Sequence, residues 1–110
     1  MSTRGTVHFC YGGKTQAIVY RHSDCYPDGL GEDLKTFLKE VQDNVADTRF
    51  SDPNYLAAKF VVWQAGQYAH QHPLNFLSIG IMLEDPGDIE YRYKILCEND
   101  AMPEIKIEKV

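Results

Sequence analysis

"GTVHFCYGGKTQAIVYRH", residues 5–22, decides the fold. Val7, Phe9 and Tyr11 alternate with His8 and Cys10, the period of two that sends successive side chains to opposite faces of a half-buried strand. Gly12-Gly13 supplies the positive φ angles of a tight turn, and "TQAIVYRH" returns as a second strand. The chain therefore opens on a β-hairpin.

Two helical patterns follow. In "LGEDLKTFLKEVQDNV" (residues 30–45), Leu30, Leu34, Phe37, Leu38, Val41 and Val45 share one face, with Glu32, Lys35, Lys39 and Glu40 elsewhere. Asp28 is the expected N-cap, its carboxylate accepting the free backbone N–H groups of the first turn. In "SDPNYLAAKFVVWQAGQYAH" (residues 51–70), Asp52 and Pro53 suit the cap and first position, since proline's missing N–H is not needed there. Apolar side chains surround most of this second helix, which predicts that it is the more buried of the two. Gly66 weakens its end and Pro73 forbids its continuation.

The last third reads as strands. "LSIGIML" (77–83) puts Leu77, Ile79, Ile81 and Leu83 on one face, and "EDPGD" is a turn in which Gly87 is free to take a positive φ. "IEYRYKILC" (89–97) sets Ile89, Tyr91, Tyr93, Ile95 and Cys97 against Glu90, Arg92 and Lys94. "EIKIEKV" (104–110) adds an edge strand whose lysines discourage further pairing. The order is β-β-α-α-β-β-β in a single domain. Strands grouped around two helices predict an α+β fold, a mostly antiparallel sheet with the two helices packed on one face and the other face wet.

Bulk properties narrow the function classes. The 110 residues fit one domain, and 44% hydrophobic content with seven Tyr, five Phe and one Trp argues for a packed core. Eleven basic against sixteen acidic residues leave a net charge of −5, a field that repels nucleic acid. Three widely spaced cysteines fit a reducing compartment. The start lacks the apolar run of a signal peptide, and no stretch approaches the ~20 apolar residues that cross a bilayer. A cytoplasmic protein without membrane or nucleic-acid partners is expected.

"STRG", "YRHSDCYPDG" and "DIEYRYKI" together resemble an uncharacterised family of small bacterial and phage proteins. Its pattern is an N-terminal Met-Ser-Thr-Arg, a His-x-Asp-Gly-Tyr-Pro corner and an acidic-Glu-Tyr-Arg-Tyr strand. The matching positions are Ser2, Thr3 and Arg4, then His22, Asp24, Tyr26, Pro27 and Gly29, then Glu90, Tyr91, Arg92 and Tyr93. Cys25 stands where the pattern has glycine, a steric burden if that position needs a positive φ. The resemblance implies a phage or prophage origin and no particular activity.

Candidate chemistry gathers at the corner. His22 and Asp24 have the makings of a base and its orienter, with Tyr26 as proton donor. The competing reading is a turn: an Asx bond from Asp24, a packed Tyr26 ring, and Pro27 with Gly29 steering the chain into the helix. Arg4 and Arg92 are candidate anion-binding residues, because the guanidinium fork suits carboxylate or phosphate. A metal site drawing on His22, Asp24 or Cys25 with His8, His70 or His72 has no recognised spacing, so no metal or other cofactor is assigned. Ser2, exposed by loss of Met1, lacks an accompanying oxyanion motif. With no catalytic constellation, the expected function is a small acidic interaction or regulatory protein that binds another macromolecule, most simply a protein. Self-association through an open sheet edge is a further expectation. The alternative is a small enzyme or anionic-ligand-binding domain built on His22, Asp24 and Tyr26.

Overall fold

The computed structural model describes residues 2–67 and 71–110. The expected hairpin is present as β1 (Gly5–Tyr11) and β2 (Lys14–Arg21), with Gly12 and Gly13 at φ of +61° and +78°. Helices α1 (Glu32–Asn44) and α2 (Pro53–Gly66) follow, then a single turn α3 (Pro73–Phe76). Strands β3 (Ile79–Met82), β4 (Tyr91–Leu96) and β5 (Glu104–Lys109) complete a five-stranded sheet.

The strand order is β3-β2-β1-β4-β5. Three of the four pairings are antiparallel, and the central one, β1 with β4, is parallel, with Val7 beside Tyr93 and Phe9 beside Ile95. The alternation of β1 and β4 delivers Val7, Phe9, Tyr93 and Ile95 to one face, where they meet Leu34, Phe37 and Leu38 of α1 and Leu56 and Phe60 of α2. Phe60 is the hinge of this core. Its ring lies 6.2 Å from Phe9, 5.3 Å from Phe37 and 6.2 Å from Trp63, within the range of favourable aromatic pairs.

Several expectations are corrected. Asp28 does not cap α1. The chain first makes a wide turn over Pro27–Gly31, in which the Glu32 N–H reaches back to the Pro27 carbonyl and the Leu30 N–H donates to the Asp24 carbonyl at 2.9 Å. Backbone carbonyls take these N–H groups, so no side-chain cap is made. Asp52 does cap α2, accepting the Tyr55 N–H at 3.4 Å. That helix is described to Gly66, and its expected extension through residues 68–70 lies outside the described residues. As expected, α2 is the more buried of the two helices, with Leu56, Ala57, Phe60 and Gln64 buried, although Tyr55, Ala58 and Val62 face outward. Strand β3 is shorter than its apolar run, and Ile81 and Leu83 are exposed because the strand lies at the sheet's end.

The second sheet face is not simply wet. Since β3 and β4 lie on opposite sides of the β2–β1 pair, residues 83–90 must cross those strands. They cross on the face away from the helices, where Asp85 meets His8 of β1 and Arg92 of β4. This crossing segment, the strap, turns the middle of an exposed sheet face into a half-buried polar layer. Among the described residues no helix is long and apolar enough to cross a membrane.

Candidate functional site

The corner at residues 22–29 is a structural joint. Asp24, not Cys25, takes the left-handed conformation, at φ +57°, so a cysteine at position 25 carries no such strain. Aspartate is among the few side chains enriched there. Gly29 is required by close approach: a Cβ at that position falls 2.2 Å from the Asp24 carbonyl oxygen and 3.2 Å from the Tyr26 ring. Cys25 is fully buried, its N–H donates to the Thr3 carbonyl at 3.1 Å, and its carbonyl accepts the Tyr93 hydroxyl at 2.6 Å. Burial pushes the Cys25 thiol up to about 12, which leaves it protonated and unreactive at neutral pH.

The three residues singled out here do not converge. The exposed His22 ring pairs through Nδ1 with the Tyr20 hydroxyl at 3.0 Å, and Asp24 and Tyr26 are exposed. Among the described residues no hydrogen bond joins His22, Asp24 and Tyr26 to one another. The polar hub of the corner is Arg21 instead. It donates to the Ser23 carbonyl at 2.9 Å, to Asp33 of α1 at 2.7 Å and to Gln64 of α2 at 3.2 Å, tying the strand end to both helices.

The two candidate anion-binding arginines both hold carboxylates of the chain's own strap. Arg4 makes a two-pronged contact with Asp88, at 2.9 and 3.2 Å, and its backbone N–H donates to Glu90 at 2.6 Å. Arg92 donates to Asp85 at 2.7 Å and to Glu108 of β5 at 2.6 Å. The fork geometry that suited an anionic ligand is occupied from within.

Between these arginines lies a cluster that sequence reasoning missed. His8 is 6% exposed on the central strand. Its Nε2 lies 3.0 Å from Asp85 Oδ2 and its Nδ1 3.2 Å from Thr15 Oγ1. Asp85 Oδ1 also accepts the Gly87 N–H at 2.8 Å, which fixes the strap's turn. Burial depresses the His8 pKa below the ordinary imidazole value, against the pull of Asp85, with Arg92 and Lys94 adding to the depression. The ring is thus neutral at pH 7. Nε2–H donates to Asp85, and Nδ1 accepts from the Thr15 hydroxyl. Although its own burial acts the other way, Asp85 is held down at about 2 by hydrogen bonds from Arg92, the Gly87 backbone and His8.

Hydroxyl, imidazole and carboxylate in this order resemble a nucleophile relay. The electrostatics oppose that use. The Asp85 charge is neutralised by the Arg92 guanidinium, so it gives an imidazolium at His8 less support, and burial further disfavours that cation. The cluster is best described as a clasp that fastens the strap to the sheet. Its signal in the sequence was faint: a histidine on the non-core face of an otherwise apolar strand, and an acidic turn 77 residues later.

Among the described residues no group of three His, Cys, Asp or Glu side chains is arranged to hold a metal ion. His8 and His22 have the partners given above, His72 Nδ1 accepts the Leu74 N–H at 3.3 Å, and His70 lies outside the described residues.

The remaining feature is apolar. A groove of about 450 Å³ runs between α1 and α2, lined by Phe37, Val41 and Val45 on one side and Tyr55, Val62 and Trp63 on the other. Glu40 accepts the Trp63 indole N–H at 2.8 Å and fixes that ring as a wall of the groove. Comparison of the chain with protein-family models, curated proteins and solved structures finds no match.

Proposed function

We propose that this chain is a small acidic interaction protein of the cytoplasm that binds another protein through the outer face of α1 and α2. The observation that carries the reading is the unfinished burial of α2. A helix apolar on all sides belongs in a core, yet this one is covered along one side only, and Val62 is 73% exposed beside the apolar groove. Two helical walls carrying Phe37, Tyr55 and Trp63 suit an amphipathic helix laid between them, its apolar ridge entering the groove. The net charge of −5 favours a ridge flanked by basic residues, which speeds encounter and excludes acidic competitors. The family resemblance adds a phage or prophage origin to the proposal.

The interaction reading is preferred to the enzyme or anion-binding alternative because no hydrogen bond joins His22, Asp24 and Tyr26 among the described residues and Arg4 and Arg92 pair with carboxylates of the chain. A photo-crosslinking residue at position 62, expressed in the native host, identifies the partner. The purified partner is expected to bind Val62→Glu about a hundredfold more weakly than wild type, the scale of burying a charge in place of a central apolar contact. It is expected to bind a His22→Ala/Asp24→Ala variant unchanged. Equal binding of wild type and Val62→Glu overturns the proposal, and selective loss in the double variant moves the surface to the corner.

A further inference from the structure

We infer that β3 is a dimerisation edge, pairing antiparallel with β3 of a second copy about a two-fold axis at Ile81. The two ends of the sheet are built differently. Strand β5 reads Glu-Ile-Lys-Ile-Glu-Lys, with charges throughout, the usual guard against pairing with another chain. Strand β3 and its flanks, Ser78 to Leu83, carry no charge, and Ile81 is 70% exposed with Leu83 fully exposed beside it. An apolar, unguarded edge opposite a guarded one is a directional feature.

The backbone fixes which groups are offered. The His22 N–H donates to the Ser78 carbonyl at 3.0 Å, so Ser78 turns its polar backbone groups toward β2. Direction alternates along an antiparallel ladder, so Gly80 and Met82 also face β2, and Ile79 and Ile81 direct theirs outward; Leu83, next after the ladder's end, continues the alternation when a second strand pairs with it. A two-fold axis perpendicular to the sheet preserves its faces and pairs residue i with residue 162 − i when centred on Ile81. Ile81 then lies opposite Ile81, and Ile79 opposite Leu83, matching every outward pair. The apolar side chains of these residues fall on one face and form a continuous seam.

Self-complementarity selects a second copy as the occupant, because the uncharged stretch Ile79 to Leu83 matches its own reverse about Ile81. Two chains of net charge −5 repel, and they can meet closely where neither carries charge. In the Ile81-centred register, Glu84 falls opposite Ser78 and not opposite its own copy. The seam is therefore free of like-charge pairs, and the product is a ten-stranded sheet closed by isologous contact, the commonest oligomer symmetry. This inference is independent of the groove between α1 and α2.

Sedimentation equilibrium over a wide concentration range tests it, with Ile81→Lys, Ile107→Lys on the opposite edge, and Val62→Glu as variants. Ile81 is exposed, so its lysine variant is expected to fold, as checked by circular dichroism. Dimerisation is expected for the wild type, with the dissociation constant raised about a hundredfold in Ile81→Lys, where two like charges meet at the axis. Ile107→Lys and Val62→Glu are expected to match wild type. Ile81→Cys is expected to form a disulfide-linked dimer on mild oxidation. A chain monomeric at ~1 mM overturns the inference, as does a dimer that survives Ile81→Lys. A dimer lost in Val62→Glu but kept in Ile81→Lys overturns it in favour of the helical face.

Discussion

Asp85→Asn isolates the charge at the centre of the strap clasp. The substitution keeps the shape of the side chain and the acceptor for the Gly87 N–H, but removes the anion that faces Arg92 and His8. In the folded chain the Asp85 carboxyl titrates at about 2, against an ordinary value of 3.8. Each pKa unit corresponds to ~1.4 kcal/mol, so the charge contributes ~2 kcal/mol at neutral pH. The sign follows from the direction: a depressed carboxylate stabilises the fold above the unfolded value, and the contribution disappears as pH falls from about 4 to about 2. Urea unfolding followed by circular dichroism is expected to show a gap of ~2 kcal/mol between wild type and variant at pH 7. The gap is expected to close below pH 4, as the wild-type carboxyl takes up its proton. A gap that persists unchanged at pH 2, or one under ~0.5 kcal/mol at pH 7, would falsify the assignment of Asp85 as a charge clasp.

Three other perturbations follow from the same geometry. Gly29→Ala is expected to destabilise the chain by ~3 kcal/mol or more, because its Cβ collides with the Asp24 carbonyl, and a loss under ~1 kcal/mol in urea unfolding would contradict the close approach. Thr6→Val is expected to stabilise by ~1 kcal/mol, since the Thr6 hydroxyl is buried without a hydrogen-bond partner among the described residues and a methyl group of equal size has no such need. His8 gives a second pH window. Its folded pKa is depressed, so the unfolded chain takes up a proton near pH 6.5 that the folded chain refuses. Wild-type stability is therefore expected to decline as pH falls below about 6.5, and His8→Gln to remove that decline. Identical pH profiles over that range would show that His8 titrates freely.

The strands and helices were legible because each is announced locally. The alternation of Val7 and Phe9, and of Tyr91, Tyr93 and Ile95, carries its own face assignment. Gly12, Gly13 and Gly87 take the positive φ angles their turns demand. What stayed hidden depends on chain segments meeting at a distance. No single-strand pattern says that β1 lies between β2 and β4, or that "EDPGD" is drawn across the sheet onto His8. Reading that segment as a plain turn was locally sound, and it missed the place where Asp85 and Asp88 occupy Arg92 and Arg4. The corner was legible as a turn, and its candidate chemistry was the open part. His22, Asp24 and Tyr26 are chemically capable and adjacent in sequence, but they are exposed and no hydrogen bond joins them among the described residues. The tight passage at Gly29 and the anchoring of Cys25 show the turn. The second helix is the more buried of the two, as its apolar surround implied, but composition does not say whether the surface that covers Val62 belongs to the same chain.

The parallel pairing of β1 with β4 also governs when the molecule can fold. Gly5 of β1 lies beside Tyr91, a partner 86 residues away, so the innermost strand of the sheet waits for nearly the whole chain. During synthesis the hairpin and both helices emerge first, with one flank of β1 unpaired and the core face of Phe9 lacking Ile95. Loop closure of that length slows formation of the sheet relative to the local hairpin and helices. Until the strap has crossed and β4 has docked, the nascent chain exposes an apolar strand edge that chaperones or aggregation partners can take. Completion of this fold is thus a late, single event, timed by the last quarter of the sequence.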